Sequence, residues 1–311
     1  MTTPITPVSA AAVPVEPGSV EPGSTVTALA QSGAALRARA RHRPQLATIV
    51  GAVLLSLLTL AAVAAPLLSG HSPETVETAR VLGAPTTAHP FGSDVLGRDV
   101  LSRVLFGLRV SLTVALSSVA IATLIAVPLG LIAGYFGGWL DSLISRSLDM
   151  LLVLPALLLA ITLIAIVGPG SIVAALAIAI IYLPILARVM RSSTLVVARQ
   201  EYVLGSKARG AGALRILTTH VAPNAIGPVI VQASVLSGFA LQLEAALSFL
   251  GLGTQPPTPS LGGMLADGRD VLTQAPWVEI YPGLAIALAV IAFSLLGDGL
   301  RRALDPSGVA S

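Results

Sequence analysis

A carboxylate at the edge of a long apolar run is the first residue whose type and position could do chemistry. Glu244 is that residue, with Gln242 two positions before it. An ionisable side chain within a membrane span marks a substrate or ion path by default. The competing reading is a hydrogen bond to a neighbouring helix, because one acid near an interface can pair or stay hydrated. Asp298, near the end of another run, reads as a helix-end or interhelical contact. His42, His71, His89 and His220 are scattered along the chain, on segments expected on both sides of a membrane, so no metal cluster follows from them. There is no cysteine, which excludes a disulfide framework, thiolate metal sites and a cysteine nucleophile. The only lysine, Lys207, has no G-x-x-x-x-G-K-S/T around it, so no phosphate cradle is expected. No nucleophile–base pairing is legible, and the chain is read as having no enzyme active site.

These residues must be positioned by apolar elements. Of 311 residues, 54% are apolar and 11% are charged, against about 25% charged in a soluble domain. Mean hydropathy is +0.88. Six stretches are long, apolar and free of charge, at 46–68, 110–134, 150–167, 171–187, 221–243 and 280–297. At about 1.5 Å per residue, roughly 20 residues cross a hydrocarbon core. Lipid offers no partner to unpaired backbone groups, so helix is the expected form. The runs do not alternate as barrel strands would. The expected fold class is an all-α polytopic membrane protein with six transmembrane helices. Gly168-Pro169-Gly170 is a tight turn signal and predicts a hairpin between the third and fourth spans. The first span is too long for the apolar region of a cleaved signal peptide.

Net charge is only +3, so the pI of 9.8 reflects few carboxylates and implies no nucleic-acid partner. With both termini inside, 13 of the 18 basic residues fall on cytoplasmic segments and 5 outside, the bias that sets membrane orientation. Residues 1–45 are rich in proline and repeat Glu-Pro-Gly-Ser, which predicts a disordered cytoplasmic tail. The basic run at 37–43 beside the first span suits orientation and anionic headgroups. A short C-terminal tail is expected at 307–311. The outer segment 69–109 is long for a connector and reads as a folded elbow. Ser93 and Asp94 are candidate N-caps for a helix leading into the second span, and Arg98, Asp99 and Arg103 could pair locally. Pro128, Pro155, Pro184, Pro223, Pro228 and Pro282 sit in or at the ends of spans and are candidate kinks.

The loop at 188–220 carries six basic residues and one acid, Glu201. Gly205, Ser206, Ala208, Gly210, Ala211, Gly212 and Ala213 are small, and Gly210 with Gly212 marks a break between two short helices. Such a loop is either a docking element or a solvated positive loop.

The run from Glu201-Tyr202-Val203 to Gly210-Ala211, followed by His220-Val221-Ala222-Pro223-Asn224, resembles the cytoplasmic "EAA" loop of ABC importer permeases. This chain has Leu204-Gly205-Ser206 where that family often has Glu-Ala-Ala, so two small residues are kept and the acid is lost. His89-Pro90-Phe91-Gly92-Ser93-Asp94 with Gly97-Arg98-Asp99-Val100-Leu101-Ser102-Arg103 is similar to the outer segment of the dipeptide/oligopeptide/nickel permeases. The run from Glu244 through Gly253 to Gln255-Pro256-Pro257, and Gly297-Asp298-Gly299-Leu300-Arg301 with Leu304-Asp305-Pro306, resemble later parts of the same family. The similarity spans about residues 46–306 and points to the C-type subunit of the permease pair.

The resemblance implies a type I-like ABC importer permease fold over 46–306 and transport of a peptide, with nickel or another small solute as the alternative cargo. It implies a second permease subunit, two ATP-binding subunits that hold ATP and Mg, and an extracytoplasmic substrate-binding protein, in the cell membrane. Leu204, Gly205, Ser206, Lys207, Arg209, Gly210 and Ala211 are then the expected ATPase-coupling residues. Glu244 and Gln242 are the candidates for the substrate path, where a peptide's α-amino group would be the partner. A stand-alone secondary transporter is the rival class, but it usually needs ionisable residues deep in the bundle.

Overall fold

The computed structural model describes residues 46–304, so the tail expected at 1–45 and the short segment 307–311 lie outside the described residues. Among the described residues the regular structure is helical, with no strand. Helix α1 (Leu46–Val63) and a short α2 (Ala65–Leu68) lead into an irregular segment, 69–99. Helix α3 (Val100–Phe136) is followed by α4 (Gly138–Leu151), α5 (Ala156–Val167) and α6 (Ser171–Val197). Two short helices come next, α7 (Glu201–Ala208) and α8 (Ala213–Ile216). A π turn, Leu217–Val221, and α9 (Ala222–Ala225) join them to α10 (Gly227–Phe249). Then α11 (Leu261–Gly268) and α12 (Trp277–Leu304) complete the bundle.

Five helices, α1, α3, α6, α10 and α12, are long and apolar enough to cross a membrane, and α4 with α5 makes a sixth if the bent pair counts as one span. That pair is bent by 85°. The run 150–167, expected as one helix, is therefore broken after Leu151, and α5 alone rises only about 18 Å. Pro155 is the cause at hand. It sits at the N-cap of α5, and a proline disfavours the helical conformation in the residue before it. Pro128, Pro184 and Pro282 lie inside α3, α6 and α12, which continue through them. The fifth span starts at Gly227 rather than 221, because the chain first makes the π turn. Pro223 has no N–H to give to the carbonyl of Thr219, a local gap that a wider helical turn accommodates.

The core lies between α3, α6 and α10. In lipid, helices gain little from burying apolar surface, so small residues that allow close van der Waals approach decide which faces meet. Ala122, Ala126, Gly130 and Gly134 recur every four residues along α3 and are buried. A methyl group at Gly130 would lie 2.6 Å from the carbonyl oxygen of Ala187, and one at Gly134 would lie 2.7 Å from Thr194 Cβ. Both neighbours belong to α6, whose facing side carries Ala174, Ala177, Ile178 and Ala187. By contrast α1 is peripheral, with Leu46, Val53, Leu57 and Leu60 exposed, and Gly51 lets it approach Leu295 of α12.

Filling this contact should cost stability. Gly130→Val should destabilise the folded bundle by about 1–3 kcal/mol, the usual range for overpacking. Gly227→Ala, which points a methyl into open space, should stay within about 0.5 kcal/mol of the parent. Thermal unfolding of the two variants in detergent checks the pair.

Candidate functional site

The two ends of the bundle carry different chemistry. At one end lie α7 and α8. Val203 and Ser206 of α7 are buried, as are Ile216 of α8 and Leu217 and Val221 of the π turn. These residues seat the helix pair on the bundle. Lys207 Nζ stands 5.0 Å from the ring centroid of Tyr135, in the last turn of α3, a cation–π contact that ties α7 to the longest helix. Tyr202 meets His220 edge to face at 6.3 Å.

The turn between α7 and α8 is built by Gly210. Its φ of +82° lies in the left-handed region, where a side chain is costly and glycine is not. The Gly210 N–H donates to the carbonyl of Lys207 at 3.0 Å, and the Ala211 N–H donates to that of Ser206 at 3.2 Å, so the end of α7 is capped. Gly212 then opens α8 by accepting from the Ile216 N–H at 3.0 Å.

The seven residues read as coupling residues do not share one face. Leu204, Lys207, Arg209 and Gly210 are exposed, Gly205 and Ala211 are half-buried, and Ser206 is turned into the bundle. Two exposed apolar residues belong beside them. Tyr202 is 47% exposed and Leu214 is 76% exposed. Large apolar side chains inside a basic loop were the available signal for them. The exposed face thus combines apolar anchors with Lys207, Arg209 and Arg215.

At the opposite end, 69–99 folds into the expected elbow around buried charges. Asp94, not free to cap a helix, accepts from the N–H groups of Leu96 and Arg98, both at 2.9 Å. Its other oxygen faces Arg98 Nε at 2.7 Å and Arg103 Nε at 3.2 Å. Asp267 of α11 lies 3.4 Å from Arg98 Nη2. The N-cap of α3 is therefore Asp99 rather than Ser93 or Asp94. Its Oδ2 accepts from Ser102 N–H at 2.8 Å and Ser102 Oγ at 2.7 Å. Asp99 Oδ1 pairs with His89 Nδ1 at 2.9 Å. The elbow is pinned to α12 by Trp277 Nε1, which donates to the Ser93 carbonyl at 3.2 Å, and by Phe91 stacked on Tyr281 at 3.9 Å. Folding also brings His71 and His89 together, with ring centroids 4.6 Å apart, a proximity that their scatter along the chain concealed.

Glu244 and Gln242 part company. Gln242 is exposed, whereas Glu244 is 1% exposed, inside the chain near the elbow end. Ser248 Oγ donates to Glu244 Oε1 at 2.7 Å and accepts from the Thr254 N–H at 3.3 Å. The hydroxyls of Thr254 and Ser171 meet at 2.9 Å. A polar thread thus joins α10, the loop after it and the start of α6. A carboxyl held there cannot reach a path outside this chain without a rearrangement of α10.

Residues 126–307 match the family model described as "Binding-protein-dependent transport system inner membrane component". The chain is 41% identical to the dipeptide transport system permease protein DppC of Alkalihalophilus pseudofirmus, over 94% of this chain and 95% of that protein. It is 48% identical to the di/tripeptide transport system permease protein DppC of Pseudomonas aeruginosa, over 69% and 71%. Among solved structures, an inward-facing MetNI methionine ABC transporter gives a TM-score of 0.54 at 18% identity, covering 65% of this chain and 96% of that one. That likeness is one of fold.

Glu244→Gln keeps the shape and an acceptor for Ser248, so it should leave folding within about 1 kcal/mol of the parent. Glu244→Ala empties a buried site and should cost about 2–4 kcal/mol. Unfolding of both proteins measures the difference, and a Gln variant as unstable as the Ala variant would show that an acceptor for Ser248 is not what the site requires.

Proposed function

The chain belongs to the family of binding-protein-dependent transport system inner membrane components, and from that membership we propose that it is a permease subunit of an ATP-driven peptide importer. A peptide of a few residues is the cargo favoured by the names of its relatives. The partners are a second permease, two ATP-binding subunits and an extracytoplasmic binding protein, with ATP and Mg held on the ATP-binding chains. The translocation path lies between the two permeases, and exposed Gln242 is its nearest candidate on this chain.

The observation that carries the reading is the exposed face of α7 and α8. Tyr202, Leu204 and Leu214 offer apolar anchors, and Lys207, Arg209 and Arg215 offer positive charge. Aromatic and apolar anchors ringed by charge suit a protein interface. Both flanks of this element are stiff. Only residues 198–200 separate α6 from α7, and the π turn and α9 lead from α8 to α10. Closure of an ATP-binding pair would therefore move α7 and α8 as a block and tilt α6 and α10 with them.

Gly210→Val forces a branched side chain to a φ of +82° and should lower substrate-stimulated ATP hydrolysis and uptake roughly tenfold or more. Leu214 is exposed, so Leu214→Glu should insert and fold normally yet lose the ATP-binding subunits on co-purification. Normal transport by both variants would place coupling elsewhere.

The orientation that goes with this function puts α7 and α8 in the cytoplasm and the elbow outside. The chain lacks cysteine, so single replacements report sidedness directly. Thr75→Cys should react with a membrane-impermeant maleimide on intact cells, and Leu214→Cys only after permeabilisation. The reverse pattern would invert the topology.

A further inference from the structure

We propose that His71, His89 and Asp99 form a binding site for a divalent transition-metal cation at the elbow. One donor atom from each of the three lies within 4.8 Å of the others. Two imidazoles and one carboxylate are a donor set suited to zinc and its neighbours. Calcium or magnesium would call for more oxygen donors.

Two of the three ligands are already held in place. Asp99 Oδ2 is fixed by two hydrogen bonds from Ser102, which leaves Oδ1 directed at His89. His89 is fixed at its backbone, where its N–H donates to Thr86 Oγ1 at 3.1 Å and its carbonyl accepts from Thr86 and Gly92, both at 2.9 Å. His89 and Asp99 are buried, and His71 is the more accessible of the three. His71 sits in irregular chain just after α2, so it is the ligand free to adjust.

The distances suit a modest closure. Zinc–nitrogen bonds of about 2.0–2.1 Å place tetrahedral ligand atoms roughly 3.3 Å apart. His89 Nδ1 and Asp99 Oδ1 stand at 2.9 Å, so the metal would replace the proton between them. His71 must then move inward by up to about 1.5 Å, and water completes the shell. The nearby guanidinium groups of Arg98 and Arg103 do not oppose the cation unbalanced, because Asp94 and Asp267 face them. A bound cation would fasten the 69–77 stretch to the first turn of α3 and leave a water position open to a further ligand.

The test uses the full chain in detergent, purified with a tag free of histidine, and zinc as the probe. Titration against a fluorescent chelator should find one zinc per chain at this site. His71→Ala should weaken it by roughly tenfold or more, without changing the unfolding temperature of the metal-free protein. His42→Ala and His220→Ala should leave it unchanged. X-ray absorption should report two imidazole nitrogens at about 2.0 Å. No zinc binding by the parent chain, or equal binding by His71→Ala, would overturn the proposal. The buried His89 and Asp99 need not be altered, so misfolding cannot imitate the expected loss.

Discussion

The close approach of α3 to α6 is the contact on which the rest of the bundle depends. Water supplies the drive for burial in soluble proteins, but lipid does not distinguish one apolar face from another. What remains is dispersion, which is strong only when backbones approach closely. The small residues of α3, at 122, 126, 130 and 134, allow that approach. Once α6 is seated, other elements hang on it. Helix α4 is held to α6 by two ion pairs, Arg191 with Asp141 and Arg188 with Asp149, the latter at 2.6 Å. Arg188–Asp149 is well exposed, so it adds little energy. Its geometric effect is to keep the amphipathic α4 along the end of α6, while α5, bent by 85° from α4, packs on α6 in turn.

The two ends of the bundle then follow opposite designs. At the elbow, buried acids and arginines are paired with one another or with backbone groups. Removing one partner of such a set leaves a charge that neither water nor protein satisfies, so the set is rigid. At the other end only the inner sides of α7 and α8 are buried. Their outer side keeps three large apolar groups and three cations exposed, and of these Leu204, Leu214, Arg209 and Arg215 stand at the surface rather than in the core of this chain. A surface kept apolar at the cost of solubility is expected where a partner covers it.

Run length made the spans legible, because it reports directly on the thickness that a helix must cross. The hairpin at Gly168-Pro169-Gly170 and the break at Gly210 were legible for a similar reason: each rests on backbone conformations that few residues adopt. The break between α4 and α5 was less so, since residues 152–154 are as apolar as their neighbours and only Pro155 disturbs the run. Capping was misread at Asp94 because any aspartate in a turn has the same local chemistry. Three-dimensional competition for Arg98 and Arg103 decided that it would serve them, leaving Asp99 for the helix. Glu244 was visible as an acid in an apolar run, but its direction was not. A two-residue step along a helix turns by about 200°, which is why Gln242 faces out while Glu244 faces in. The pairing of His71 with His89 depends on the elbow doubling back, and no local pattern encodes that return.

These constraints determine how force can travel through the chain. The α7–α8 element is bonded to α6 on one side and to α10 on the other, and Lys207 adds a contact to α3. Helices α3, α6 and α10 also all pack on one another, α3 against α6 most extensively. Packed helices with residue-sized interlocking do not deform continuously, so they shift as a body or repack between discrete states. The soft point is the α4–α5 bend, where residues 152–158 are exposed and α5 touches chiefly α6. A push on α7 and α8 is thus carried through a stiff core, and the bend beside it can take up the difference. The elbow, locked by its own charges and pinned to α12 by Trp277 and Phe91, holds the far end of α3 in place. On the proposed coupling, α3 is fixed at the elbow and drawn by α7 at its other end, so tilt about the elbow is the motion left to it.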